Sequence, residues 1–118
     1  MKKTIPFDLF EQGQTIYFDI LRLAEFEKAM GAPIQQIIQS GNAGINFCLA
    51  GLQVGLKHHN RRVTPAFYAD KISEYLDEGG TIDDIAVPII RAIVASGLFG
   101  KEAADQTDEA LVGDEKNA

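Results

Sequence analysis

The segment AGINFCLAGLQVGLKHH, Ala43 to His59, places the strongest constraint on what this chain can become. Read as a helix, it is apolar on most sides through Ile45, Phe47, Cys48, Leu49, Leu52, Val54 and Leu56. A helix that is apolar nearly all round has no face to give to water, so it belongs at the centre of a core. Its glycines, Gly51 and Gly55, each cost roughly 1 kcal/mol of helix propensity relative to alanine. Their i, i+4 spacing puts both on one face, where another helix can approach closely.

The flanking sequence supplies elements to wrap that helix. In TIPFDLF the residues Ile5, Phe7 and Leu9 alternate, and TIYF carries Ile16 and Phe18 in the same way. Between them EQGQ holds Gly13, which can take the positive φ of a tight turn, so the N-terminus is predicted to be a β-hairpin. Pro6 cannot donate to a ladder and marks the first strand as an edge. Asp19 is the expected N-cap of ILRLAEFEKAM, with Ile20, Leu23, Ala24, Phe26 and Met30 as its approximate apolar face and Gly31 as its stop. Pro33 opens PIQQIIQS, with Ile34, Ile37 and Ile38 inward, and SGNAG breaks it. Thr64-Pro65 starts PAFYADKISEYLDE, which sets Phe67, the Lys71 stem, Ile72, Tyr75 and Leu76 near one side. Thr81 and the acids of TIDD start the last helix, in which Pro88 must either kink the helix or mark its first turn.

The expected fold is therefore mostly α, a small bundle of four to five helices with an N-terminal β-hairpin (α+β), occupying residues 1–100. The remainder, 101–118, carries six acids and two lysines, net −4 of the formal −6 of the whole chain. That acidic composition, poor in large apolar groups, predicts a disordered C-terminal tail. One cysteine excludes an intramolecular disulfide and suits a reducing compartment. No segment approaches the roughly 20 apolar residues of a membrane span, and the start MKKTIPFDLFEQGQ lacks the apolar region of a signal peptide. A cytoplasmic location is expected, with no membrane partner.

The run KHHNRR invites two chemical readings. Adjacent residues on a helix point about 100° apart, so His58 and His59 cannot share a metal ion there, and there is no third histidine. Lys57, His58, His59, Arg61 and Arg62 instead sit where the C-terminal end of a helix dipole favours cations. The cluster can contact phosphate, but the next helix carries Asp70, Glu74, Asp77 and Glu78, which would repel DNA. Catalysis finds little support. Cys48 is in the most apolar helix, Ser40, Ser73 and Ser96 lack any nucleophile-elbow setting, and GNAGIN is no phosphate loop. No catalytic residue, metal or cofactor is expected. Protein–protein binding remains, through the basic corner Lys57 to Arg62 as a rim for an acidic partner, or through an apolar surface on the hairpin at Phe7, Phe10 and Tyr17.

The order of these signals resembles the tail assembly chaperones of long-tailed phages and prophages. YFDILRLAEFEKAMGAPIQQI is similar to the opening of that family, with an aromatic-aspartate cap and a helix ending in glutamate, a spacer and glycine, here Glu27 and Gly31. INFCLAGLQVGLKHHN looks like its apolar helix and leucine-x-histidine corner, carried by Leu56 and His58. VTPAFYADKISEYLDEGG and IAVPIIRAIVASGLFG complete the set. The resemblance covers about Gly13 to Gly100, and the doubled His58-His59 and Pro88 depart from it. It implies a non-enzymatic protein that binds the tape measure protein, keeps it soluble and helps recruit tail tube subunits, without entering the virion; self-association is open. Many members occur in a short form and a frameshifted long form, and 101–118 would suit the short one. The alternative reading is a small helical adaptor or transcriptional regulator that touches DNA through residues 57–62.

Overall fold

The structure, a computed structural model, describes residues 3–41, 43–60 and 62–106. Its elements run β1 (Thr4–Pro6), β2 (Thr15–Tyr17), α1 (Ile20–Met30), α2 (Ile34–Ser40), α3 (Ile45–Gly55), α4 (Pro65–Asp77) and α5 (Ile82–Ala95). A further helical stretch covers 101–106. The expected class, mostly α with an N-terminal antiparallel hairpin, is the observed one.

In the hairpin Ile5 pairs with Ile16, and both are buried, as alternation requires. The ladder is shorter than the alternating pattern. Beyond Pro6 the Phe7 N–H still donates to the Gln14 carbonyl at 2.8 Å, but Asp8 Oδ1 accepts from the Gly13 N–H at 2.6 Å and rounds the chain into a turn. Gly13 takes the positive φ, 86°. Leu9 thereby leaves the ladder and stays exposed.

Local signals set the helix ends. Asp19 Oδ1 accepts from the Arg22 N–H at 2.8 Å, and Gly31 closes α1 in the left-handed region at φ 72°. At α5 the Thr81 hydroxyl accepts from the Asp84 N–H while the Asp84 carboxylate accepts from the Thr81 N–H, a reciprocal capping box. Thr64 departs from expectation: its side chain makes no cap hydrogen bond, and Pro65 at N1 opens α4 without one. Pro33 occupies the N-cap position rather than the first turn of α2, and the missing side-chain acceptor comes from a distance. Glu27 Oε2, on α1, accepts from the Ile34 N–H at 2.9 Å. Pro88 is inside α5, which continues through it to Ala95.

Two helices present faces other than those read from spacing. On α1 the buried residues are Leu23 and Phe26, with Met30 packed against them, whereas Ile20 and Ala24 face solvent. At about 100° per residue, positions 23, 26 and 30 form a stripe that excludes 20 and 24. On α4 the buried residues are Tyr68 and Ile72, and Phe67 and Leu76 are turned partly outward.

Helix α3 is central, as expected, and touches α1, α4, α5 and β2. Phe47, Cys48, Leu52 and Leu56 are at most 1% exposed. Gly51 lies against Ile89 of α5, so a helix does approach there. Gly55 lies against Ile16 and Phe18, so its partner is the hairpin instead. After α5 the chain turns through Gly97 and Gly100, both at positive φ, into 101–106. Ala104 is buried, and Lys3 Nζ pairs with Asp105 at 3.3 Å. The first six residues of the segment expected as a disordered tail are thus helical and attached; 107–118 lie outside the described residues. Among the described residues no helix is long and apolar enough to cross a membrane.

Candidate interaction surface

The corner after α3 is built around Thr15. Its N–H donates to His59 Nε2 at 3.0 Å, and its hydroxyl lies 3.1 Å from His58 Nε2 and 3.2 Å from His59 Nε2. Arg22 Nη1 donates to His58 Nδ1 at 2.9 Å and to the Tyr17 carbonyl at 3.2 Å. These donors assign the tautomers: His58 carries its proton on Nε2 and donates to Thr15 Oγ1, which donates onward to His59. The guanidinium also covers the Tyr17 ring, 5.1 Å from its centroid. Both histidines therefore tie the hairpin to the end of α3. Among the described residues no group of three His, Cys, Asp or Glu side chains is placed to hold a metal ion.

Lys57 Nζ reaches both Glu25 oxygens, at 2.7 and 2.9 Å, in a part-exposed pair. Arg62 is exposed, and Arg61 lies outside the described residues. Of the four described members of the basic corner, three are engaged within the molecule.

The hairpin residues expected to form an apolar surface separate. Phe7 is 1% exposed, edge-on to Phe10 at 5.2 Å, so it belongs to the core and not to a surface. Alternation put it on the same face as Ile5, and that face is the buried one. Tyr17 is half-buried beneath Arg22. Phe10 is half-buried, between Phe7 and Tyr75.

The apolar surface lies elsewhere. Ile20 and Leu21, the first two residues of α1, are 74% and 70% exposed, the highest values among the described large apolar side chains. They form a ridge between two open depressions. One, about 380 Å³, is lined by Ile20, Lys3, Lys101 and Ala104 among others. The other, about 320 Å³, is lined by Leu21, Arg22, Glu25 and Lys57. Asp19 lines both depressions and Glu25 the second, so the rims carry both signs of charge, and an apolar ridge of this kind suits the apolar face of an amphipathic helix. Spacing alone had assigned Ile20 to the core and passed over Leu21. The signal that could have located them is their place directly after the Asp19 cap, a turn ahead of the Leu23, Phe26, Met30 stripe.

A smaller pocket of about 220 Å³ lies between the hairpin turn and α4, lined by Phe10, Glu11, Gln14, Asn60, Phe67, Tyr68 and Lys71. Gln14 and Tyr68 are 6% and 1% exposed, yet Gln14 Oε1 and the Tyr68 hydroxyl have no hydrogen-bond partner of ordinary geometry. Burial pushes the Tyr68 phenol pKa up, and the neighbouring Asn60 side chain partly offsets this. Cys48 is fully buried, and burial with the nearby Asp83 charge pushes its thiol up to about 11, which suits an inert core residue rather than a nucleophile.

No family model matches the chain, and no curated protein or solved structure is significantly similar to it.

Proposed function

We propose that this protein is a non-enzymatic tail assembly chaperone of a long-tailed phage or prophage, working in the host cytoplasm. Its client would be the tape measure protein, with recruitment of tail tube subunits as a second task. The resemblance in the order of caps, turns and helices supports this reading. The observation that carries it is the Ile20–Leu21 ridge, which leaves two large apolar side chains in water at the start of the helix where the resemblance is densest. Exposed apolar groups of this size, rimmed by charge, are a feature of protein-binding surfaces. A long amphipathic client helix would cover them and be kept from self-association by the acidity of its partner. Glu27 and Gly31, which support the resemblance, also have a physical task here, since Glu27 caps α2 and Gly31 turns the chain into it. The adaptor reading relies on the basic corner, and the engagement of Lys57, His58 and His59 within the fold weighs against it.

The test starts from the DNA around the gene. A slippery run near its end, an overlapping frame and a long helix-coding gene downstream would identify the client for co-expression. The client should be soluble and co-purify with the native protein, and remain insoluble with Ile20→Asp/Leu21→Asp, whose own thermal midpoint should be unchanged. Unrelated neighbouring genes, or equal rescue by the double variant, would remove this reading.

A further inference from the structure

The pocket between the hairpin turn and α4 contains two unpaired groups that the fold alone does not explain. Leaving a buried donor or acceptor without a partner costs on the order of 1–3 kcal/mol, so such groups are rare and point to something that completes them. Here two belong to residues that line one cavity, Gln14 Oε1 and the Tyr68 hydroxyl, both closed to solvent in this conformation. The Gln14 amide has a defined orientation, because its Nε2 donates toward Glu11 Oε2 at 3.4 Å, and a flip would set two acceptor oxygens against each other. Its oxygen is therefore an acceptor without a donor. The Tyr68 hydroxyl, with the Asn60 side chain on its acceptor side, still has a proton to give.

We infer that this pocket is a recognition site for a primary carboxamide, the side chain of a glutamine or asparagine on a partner polypeptide.

The chemistry selects among ligands. A carboxamide carries N–H donors for Gln14 Oε1 and a carbonyl for the Tyr68 hydroxyl on one planar group, and its plane suits walls made by Phe10 and Phe67. A carboxylate has no donor for Gln14 and would face Glu11. A cation would meet Lys71, whose ammonium lies 5.6 Å from the Phe67 centroid. The lining holds one acid and one base, Glu11 and Lys71, so the site is neutral and favours a neutral group. At about 220 Å³ the cavity is below the roughly 300–1,000 Å³ of pockets for drug-sized molecules and suits a single side chain. The partner is a polypeptide because the cavity does not end there. Phe10 and Lys71 also line a second depression, with Leu9, Glu74, Tyr75 and Glu78, so the concave surface continues along α4 past the exposed Leu9. The two orphaned atoms are closed to water, and the ring of Phe67, 39% exposed, packs edge-on to Tyr68 at 5.3 Å and lies under Lys71, so this ring must turn outward for the side chain to enter.

This inference does not depend on the chaperone reading, and its test uses no client. The isotope-labelled protein is titrated with N-acetyl-glutamine methylamide, N-acetyl-glutamate methylamide and N-acetyl-leucine methylamide, following amide and Gln14 side-chain resonances by NMR. The glutamine probe should give saturable shifts centred on Gln14, Phe67 and Tyr68, at millimolar concentration, and the other two should not. Tyr68→Phe removes one hydrogen bond and should weaken the glutamine probe about fivefold. Phe67→Ala, at a partly exposed ring, preserves the fold and should weaken it as well. Equal shifts from all three probes, no saturable shift, or a crystal structure in which ordered water bridges Gln14 and Tyr68 and is not displaced by the probe would overturn the assignment.

Discussion

Gly51 on α3 and Ile89 on α5 are in such close contact that a Cβ built on the glycine falls 2.7 Å from Ile89 Cγ2 and 2.8 Å from Cδ1. Ile89 is fully buried and has no free direction in which to move. Two effects of Gly51→Ala oppose each other. Helix propensity favours alanine by about 1 kcal/mol, while overpacking a filled core costs about 1–3 kcal/mol. The clash is below any separation that real Cβ atoms adopt, so the second effect wins. Gly51→Ala should lower the stability measured by urea unfolding, and pairing it with Ile89→Val should recover part of the loss.

Arg22 joins three elements through one guanidinium. It donates to the Tyr17 carbonyl of β2 and to His58 beyond α3, and it covers the Tyr17 ring. Arg22→Ala should destabilise by roughly 1–3 kcal/mol, because hydrogen bonds from a charged donor are worth more than neutral ones. Arg22→Lys should recover little of this, since an ammonium lacks the planar face that covers the Tyr17 ring while Nη1 donates to both acceptors. Thermal unfolding of the two variants decides it.

Cys48 should resist alkylation. Raising its pKa from 9.0 to about 11 cuts the thiolate population at neutral pH about a hundredfold, and full burial adds to this. Iodoacetamide labelling followed by mass spectrometry should be slow in the native protein and fast in urea. The shift also has a consequence for stability. The folded state holds the neutral thiol more tightly than the unfolded state, so its contribution is complete below about 9 and is lost as pH rises toward about 11. Cys48→Ala should flatten that alkaline decline.

At the start of α5, Asp84 accepts from the Tyr75 hydroxyl at 2.8 Å and from the Thr81 N–H at 3.1 Å. The Tyr75 hydrogen bond first, then the Thr81 backbone, hold the Asp84 carboxyl below its ordinary 3.8, and the same contact raises the Tyr75 phenol. A depressed folded pKa means that the unfolded chain takes up the proton first. Stability from this contact is therefore present above 3.8 and lost as pH falls through the folded value. A carboxylate-detected NMR titration should show Asp84 moving back toward 3.8 in Tyr75→Phe, and the thermal midpoint of that variant should fall less between pH 5 and 2 than that of the native protein.

Features encoded within a few residues were legible before the fold was known. Asp19, Gly31, Gly13 and Thr81 act over one turn, so residue type and spacing were sufficient, and the apolarity of Phe47 to Leu56 on most sides pointed to a central helix, although Ile45 at its start is 62% exposed. The faces of α1 and α4 were harder. Both contain more apolar residues than one stripe needs, and whether Ile20 or Phe26 turns inward depends on what α3 presents to them. The contacts that define the candidate surface span still longer separations. Thr15 and His59 meet across 44 residues, and Lys57 and Glu25 across 32, with no local pattern to announce either. For this reason the corner offered by the sequence as a rim contact is engaged within the fold, and Ile20, read as core, is exposed beside Leu21.

Residues 101–106 provide a direct check on where the folded part ends. Composition alone predicts that removing everything from Lys101 onward leaves stability unchanged, because an acidic tail buries little. The fold changes that expectation. Ala104 is 3% exposed, its N–H donates to the Gly100 carbonyl, and Asp105 pairs with Lys3 beside the hairpin. The exposed ion pair is worth at most about 1 kcal/mol, and burial of the alanine adds to it. Two truncations separate the contributions. Ending the chain after Gln106 should leave the thermal midpoint near that of the full chain, and ending it after Gly100 should lower it by a few degrees, as expected for a loss of about 1 kcal/mol in a domain of this size. Ala104→Asp in the full chain should reproduce the second result without shortening anything, because a carboxylate cannot occupy that buried position without a partner. Equal midpoints for all three would show that 101–106 contribute nothing to the fold and return the boundary to Gly100.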